Sequence, residues 1–462
     1  MYIMKLKKLL HIILLACLYC VSAGIVYLAY TQSYVADESF TTMRWVVLLF
    51  LSPIIFKFLL QLLTLCYYPK VERSRKRRHQ FTGQPKVSVL IPAYNEEVGI
   101  IKTINSVLMS EYSNLEVIVI NDGSTDATHQ LVEEKLLSFK EEATRKLSAG
   151  AENPSIQTTS LKYLSFPNGG KAKALNQALA ICEGEFIVTI DADCVMDTKA
   201  IDNVLRRFAD PKVGALGGNV VVGNKTKPVE LLQQLEYLYG FFFKRADSAF
   251  NSVYIIGGAA AAYRKSVLDE VGGFDPNVVT EDIEMSMRIL AAGHKTRYAS
   301  DAVTYTEGPS RWRCLFNQRL RWRFGRFQTF IKYQKLFFSK QKGHNKYFTM
   351  LVLPIALYAE FTLLFQGVFL AFFYSYTVLT HDYIPIAIVM AFMAIMVVIQ
   401  VLSDSKSKFH LNLLLLAPIA WLLFYIVDII EFQALCRSIK RLIKNENLTW
   451  QKWSRVGIAD KS

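Results

Sequence analysis

Four polar clusters in this 462-residue chain each come directly after a short apolar run. "YNEE" (Tyr94 to Glu97) follows "VSVLIPA", "NDGSTD" (Asn121 to Asp126) follows "LEVIVI", "PNGGK" (Pro167 to Lys171) follows "LKYLSF", and "DADC" (Asp191 to Cys194) follows "EFIVTI". Asn, Asp and Gly are ordinary turn residues, so any single cluster reads as a turn. Four in register, one of them a carboxylate pair, argue for a shared site. Read as oxygen-only ligands, Asp191 and Asp193 suit a hard ion, Mg2+ or Mn2+, which typically bridges one or two carboxylates to phosphates. A diphosphate ligand is thereby implied. Lys171, at a glycine-rich helix start, adds a cation and backbone donors for phosphate. Asp122 is placed to accept hydrogen bonds from a base or ribose, and Tyr94 to cover a base face.

A second acidic group lies in "TEDIE", where Glu281, Asp282 and Glu284 follow Thr280. Thr280 as N-cap with acids in the first turn is good helix chemistry by itself. The preceding "GGAAAAYRKSVLDEVGGFDP" supplies a glycine-rich strand and turn that would carry this helix start to the strand ends. Asp282 there could take a proton from an attacking hydroxyl, as a general base. In "QRLRW", Gln318, Arg321 and Trp322 fall within roughly 100° of one another on a helix. Phe316, Leu320, Phe324, Phe327 and Ile331 gather on the other side, so the segment reads as an interfacial helix with its apolar stripe on a bilayer. An Arg beside a departing diphosphate stabilises its charge, and an indole is a platform for a sugar ring.

The elements that must position these residues are βαβ units. The four apolar runs read as buried parallel strands, with helices over "EEVGIIKTINSVL", "DATHQLVEEKLLSF" and "GKAKALNQALAIC" between them. The predicted fold class is therefore α/β, an open sheet with its ligand beyond the carboxyl ends of the strands. The polar stretch from about Lys140 to Thr159 reads as an irregular surface excursion.

Around this domain the chain is half apolar, with 53 Lys+Arg against 39 Asp+Glu. Apolar runs Leu9–Tyr30, Trp45–Tyr67, Phe348–Tyr374, Ile384–Leu402 and Leu411–Phe432 each approach the roughly 20 residues that cross hydrocarbon. The first reads as an anchor rather than a cleaved signal. Lys5, Lys7 and Lys8 before it, and the basic run from Lys70 to Arg78, put the N-terminus and large domain on the cytoplasmic side of a cell membrane. Basic residues from Arg437 to Arg455 favour the same side for the C-terminus, which five spans do not allow. The seven cysteines read as reduced thiols.

Taken together, "VSVLIPAYNEE", "INDGSTD", "GGKAKALN", "DAD", "TED" and "QRLRW" resemble the processive family 2 glycosyltransferases, synthases of cellulose, chitin, hyaluronan and poly-β-1,6-N-acetylglucosamine. The likeness covers about Lys86 to Phe330. "GGAAAAYRKSVLDEVGGFDPNVVTEDIEMSMRI" and the closing "LTWQKWSR" look most like the bacterial poly-N-acetylglucosamine synthases. Asn121, where many members have Asp, and "TEGPSRW" depart from the pattern. The resemblance implies a GT-A domain, a UDP-sugar donor, a growing polysaccharide acceptor and one inverting displacement, with the product passing between transmembrane helices. It implies a bilayer setting, with a small membrane-protein partner and no nucleic acid.

Carried onto this chain, Tyr94, Glu96, Asp122, Lys171 and Asp191 would hold the nucleotide-sugar, and Asp191 and Asp193 the metal. Asp282 would be the base, and Gln318, Arg321 and Trp322 would frame diphosphate and acceptor. The expected division is two transmembrane helices over 1–68, the glycosyltransferase domain over 69–310, interface helices over 311–346, further transmembrane helices over 347–434 and a basic tail over 435–462. A non-processive lipid glycosyltransferase is the competing expectation.

Overall fold

The computed structural model describes residues 2–31, 38–78, 81–148, 159–446, 448 and 455–458. Two long helices, α1 (Tyr2–Thr31) and α2 (Glu38–Arg78), precede an α/β domain. Its strands are β1 (Val87–Ala93), β2 (Leu115–Asp122), β3 (Ser160–Phe166), β4 (Phe186–Thr189), β5 (Cys194–Met196), β6 (Val213–Val222), β7 (Ala261–Arg264) and β8 (Lys295–Thr306). Helices α3 (Ile100–Leu108), α4 (Thr128–Ser148), α5 (Lys171–Leu179), α6 (Ala200–Leu205), α7 (Pro228–Ala249), α8 (Lys265–Val271), α9 (Glu281–Ala291) and α10 (Trp312–Lys332) alternate with them. Helices α11 (Leu353–Thr380), α12 (Ile384–Ser403) and α13 (Ala420–Ile443) complete the order.

The eight strands form one sheet in the order β3-β2-β1-β4-β7-β6-β8-β5. The four expected strands are parallel neighbours, whereas β7 runs antiparallel to both β4 and β6. Alternation explains the continuous apolar runs. Val87, Val89 and Ile91 point to a core shared with Ile100, Ile104 and Ile201, while Leu90, Ile118 and Ile120 point to the opposite core with Leu175, Val267 and Ile289. With both faces covered, each such side chain contributes about 1.5–3 kcal/mol on burial. The strand order brings the ends of β1, β2 and β4 side by side, and the antiparallel β7 returns the chain toward α9.

Among the described residues, five helical stretches are long and apolar enough to cross a membrane: His11–Thr31, Thr42–Arg78, Phe348–Thr380, Ile384–Ser403 and Ser407–Ile443. This is a membrane protein by that measure. The last stretch is not one regular helix, because Ser407–Ile419 is a 3-10 segment containing Pro418. The long α7 joins the domain to these helices. Its Phe242, Phe243 and Ala246 pack with Leu15, Leu62 and Met396; its Leu235 and Leu238 pack with Val397, Leu413 and Ala417.

Two expectations need correction. The surface excursion expected from Lys140 is helical as far as Ser148, because α4 simply continues; 149–158 lie outside the described residues. The apolar stripe of "QRLRW" is not laid on a bilayer throughout: Leu320 and Phe324 are buried in the protein, and only Ile331 of the five is exposed. Ion pairs hold α10 instead. Arg319 reaches Glu236 (2.5 Å) and Glu431 (3.2 Å), Arg323 pairs with Glu431 (2.5 Å) and Glu360, and Arg326 with Glu360 (2.7 Å). An arginine-rich helix so paired is a strut between α7, α11 and α13.

Candidate active site

The loops after β1 and β2 brace one another. Asn95, in a left-handed conformation with φ 56°, accepts from Thr125 N–H (2.7 Å), and Glu96 N–H donates to Thr128 Oγ1 (2.8 Å). Asn and Asp tolerate that backbone region better than other non-glycine residues. The carboxylate of Asp122 is buried and occupied locally. Oδ1 accepts from Gly169 N–H (2.7 Å) and Oδ2 from Gly170 N–H (2.9 Å) and the Asn168 side-chain amide (3.3 Å). Asp122 thus fixes the loop that presents Lys171. Tyr94, just past the end of β1, is half-buried.

Lys171 stands at the centre of the acidic groups, with its Nζ 2.6 Å from Asp191 Oδ1 and 2.9 Å from Glu281 Oε1. Burial works against its charge, but Asp191, Glu281 and Asp282 outweigh that and hold its pKa well above the usual lysine value. Asp191 is held below the usual carboxylate range, since the pull of Lys171, Arg455 and Arg321 exceeds the cost of its burial.

The three acids of the "TEDIE" turn separate into three roles. Glu284, fully buried, takes Arg288, Lys332 (2.5 Å) and the Tyr333 hydroxyl (2.6 Å), tying α9 to α10. Glu281 pairs with Lys171. Among the described residues Asp282 receives only backbone donors, Gly258 N–H at 2.9 Å and Ile283 N–H at 2.8 Å. Burial, then the neighbouring Glu281, push its pKa above the usual value despite Lys171. A carboxylate poised in that way is matched to accepting a proton.

Thr280 occupies the N-cap position, yet its hydroxyl makes no capping bond and is buried without a hydrogen-bond partner. It packs instead on Gly325 of α10, where an added methyl group would overlap Thr280 Oγ1 and Cγ2. This close approach brings the "QRLRW" turn to α9. Gly325→Ala is expected to cost about 1–3 kcal/mol by overpacking and to lower the thermal midpoint and donor binding together, read by thermal denaturation and nucleotide titration. An unchanged midpoint would mean that the contact is not tight.

Arg321 is within electrostatic reach of Glu281, Asp191 and Asp282, and burial lowers its pKa. Gln318 Oε1 accepts from Arg319 Nη1 (2.9 Å), and the Arg319 guanidinium lies 4.2 Å from the Trp322 ring centroid. Tyr237 of α7 flanks the indole at 6.2 Å between centroids. Sequence reasoning passed over Arg319 and Glu236; the signal was present in the second arginine-rich turn but needed α7 as a partner. Arg321 joins the acidic group, while Gln318 and Trp322 are set by Arg319.

Asp193 has a partner from the other end of the chain. Arg455 Nη1 lies 2.5 Å from Asp193 Oδ2, and the same guanidinium grips Glu96 through Nε (3.0 Å) and Nη2 (2.6 Å). Glu307 anchors the segment by accepting from Val456 N–H (2.7 Å) and Gly457 N–H (3.0 Å), and Lys102 Nζ donates to the Ile458 carbonyl (3.0 Å). Burial and Asp193 push Glu96 up to about 7 against the opposing pull of Arg455. The expected basic tail is therefore folded onto the domain at 455–458. Trp450 and Trp453 of "LTWQKWSR" lie outside the described residues.

The acids fit a divalent ion. Asp191, Asp193 and Cys194 bring one ligand atom each to within 4.8 Å of one another. Contrary to the oxygen-only reading, a thiol is near, but burial and both aspartates raise the Cys194 pKa well above its usual value, and it donates to Asp193 Oδ1 at 3.2 Å. A soft thiol suits Mg2+ or Mn2+ less well than carboxylate oxygens do. The hard oxygens remain, with the side chains of Lys171 and Arg455 standing in as cations on Asp191 and Asp193.

Known proteins share both the sequence and the fold around these residues. A stretch of the chain is 31% identical over 249 residues to the poly-beta-1,6-N-acetyl-D-glucosamine synthase of Staphylococcus epidermidis, covering 53% of this chain and 56% of that protein. The protein of the same name from Staphylococcus aureus (strain COL) is 30% identical over 280 residues, 58% of this chain and 62% of that one. The match thus spans a little over half the length of these relatives. Among solved structures, the mannosyltransferase PcManGT from Pyrobaculum calidifontis, in complex with GDP-Man and Mn2+, superposes with a TM-score of 0.51 at 21% identity, covering 86% of this chain and 99% of that one. That likeness supports the expected GT-A-like fold. The profile described as "Glycosyltransferase like family 2" matches residues 85–325, more than half of the chain, and the protein belongs to that family.

Proposed function

We propose that this protein is a membrane glycosyltransferase that polymerises a sugar from a UDP-sugar donor into a β-linked polysaccharide, with N-acetylglucosamine as the favoured unit. The observation that carries the reading is Asp282, a carboxylate of raised pKa on one helix end, grouped with Lys171, Asp191 and Arg321. The relatives' names favour the sugar; the five apolar helices favour processive export over transfer to a lipid carrier. The domain faces the cytoplasm, where nucleotide sugars are made.

The donor's diphosphate lies against Lys171 and Arg321, and Asp191 and Asp193 would hold Mg2+ or Mn2+. When bound, such an ion neutralises phosphate charge. Tyr94, Glu96 and Asp122 shape the nucleotide end, and Trp322, fixed between Arg319 and Tyr237, carries the acceptor sugar. Asp282 takes the proton of the attacking hydroxyl as the new bond forms at the anomeric carbon and the bond to UDP breaks. Attack from the face opposite the leaving group inverts the centre, giving a β-glycoside from an α-linked donor. A small membrane-protein partner would assist passage of the product.

Purified membranes supplied with single UDP-sugars and Mg2+ should make polymer from one of them, identified by linkage-specific hydrolases. Transfer of a single residue to lipid, with no polymer, would overturn processive synthesis.

Arg455 supplies a further prediction. Because its guanidinium neutralises Asp193, Arg455→Gln should tighten Mn2+ binding by about tenfold in the absence of donor, the effect of one opposing charge at close range. Titration followed by electron paramagnetic resonance reads this directly. Equal affinity in both proteins would mean that the arginine does not compete for the site.

A further inference from the structure

A cavity of about 440 Å³ opens between the first turns of α10 and the last turns of α13, lined by Arg313, Phe316, Asn317, Gln433 and Arg437. It shares no residue with the site described above. Later arginines of α10, Arg319, Arg323 and Arg326, each have a carboxylate partner. Among the described residues, Arg313 and Arg437 form no ion pair. Gln433 Oε1 is buried without a hydrogen-bond partner. Two unneutralised guanidiniums beside an aromatic wall make a site for an anion.

The volume is in the range of small-molecule sites, several times that of a single phosphate. Its surroundings are those of a bilayer surface. Trp312 beside Arg313, and Ile429 and Phe432 beside Gln433, are exposed at 44%, 65% and 42%. Helix α13 then becomes basic, with Arg437, Lys440 and Arg441. Apolar side chains turned outward next to a cationic cavity match a ligand with both an acyl portion and a charged head. Cationic pockets between helices at the cytoplasmic surface bind acidic headgroups in this way, and Trp marks the interfacial level.

We propose that this cavity is a binding site for an anionic glycerophospholipid, phosphatidylglycerol being a simple case. The phosphodiester lies between Arg313 and Arg437. Phe316 and Trp312 flank the glycerol and first acyl carbons. Asn317 immediately precedes Gln318 on the same helix, so an occupied site braces α10 at the turn leading into Gln318, Arg321 and Trp322.

The test uses the full chain in nanodiscs of phosphatidylcholine with or without phosphatidylglycerol, and native mass spectrometry reads the lipid retained. Wild-type protein is expected to keep phosphatidylglycerol in preference to phosphatidylcholine. The Arg313→Gln, Arg437→Gln double variant should lose that preference by roughly thirtyfold, at the strength of two basic groups near a membrane. Arg313→Lys, Arg437→Lys should restore most of it, which separates lost charge from lost folding. Equal retention of both lipids by wild type, or unchanged preference in the Gln variant, overturns the proposal. So does release of the lipid by millimolar inorganic phosphate, which would mark a soluble-phosphate site instead.

Discussion

Asp282→Asn is expected to reduce polymer synthesis by roughly 10³–10⁴-fold, the upper range for loss of a positioned general base, while UDP binding stays within about threefold of wild type. The asymmetry comes from the geometry. Among the described residues the Asp282 carboxylate accepts hydrogen bonds from the amides of Gly258 and Ile283, and Lys171 pairs with Asp191 and Glu281. An amide of equal size keeps the helix end in place but cannot accept the proton. The pH profile carries the same information. The raised pKa places the acid limb of the wild-type rate above the usual carboxylate range, with activity falling as pH drops through that value. Stability moves the other way. A carboxyl whose folded pKa exceeds its unfolded one stabilises most when protonated, and that stability is lost as pH rises through the folded value. At neutral pH the Asn variant should therefore melt no lower than wild type. Near-normal synthesis by the variant, with its acid limb unmoved, would remove Asp282 from the reaction.

Much of this site was legible because its chemistry is local to strand ends. The strands ending at Ala93, Asp122 and Thr189 are buried on both faces, the edge strand ending at Phe166 only in part, and the residues at and just past their ends lie at one edge of a parallel sheet. The sequence pattern therefore put Tyr94, Asp122, Lys171 and Asp191 at that edge, where Lys171 meets Asp191 and Asp122 holds the glycines before Lys171. It said less about which atoms are free. Asp122 looks like a ligand until Gly169 and Gly170 occupy its oxygens, and three adjacent acids look alike until Glu284 is drawn to Lys332 and Glu281 to Lys171. Contacts over long chain separations left no periodic trace. Arg455 meets Glu96 from 359 positions away, and Glu307 holds the backbone of Val456 from 149. The interfacial reading of α10 failed for a related reason: period alone cannot tell a stripe facing lipid from one facing protein, and Leu320 and Phe324 face protein.

Asp193→Ala should abolish the dependence of UDP binding on a divalent ion. In wild type, saturating Mg2+ or Mn2+ is expected to tighten UDP by about a hundredfold, a figure of about 2.7 kcal/mol, because a hard ion held by carboxylate joins the protein to the diphosphate. With alanine at 193 only Asp191 remains of the pair, and Lys171 already engages its Oδ1. Calorimetry with and without the ion should then give the same weak affinity. The tail provides an internal control, since Arg455 keeps both contacts to Glu96 and Glu307 keeps the amides of Val456 and Gly457. Its protection from hydrogen exchange should be reduced only modestly in the variant. Loss of UDP binding with an intact tail locates the defect at the ion, whereas loss of both would assign Asp193 to anchoring the tail. Should Mg2+ tighten UDP equally in the two proteins, the ion is held elsewhere and the aspartate pair is a partner for Lys171 and Arg455 alone.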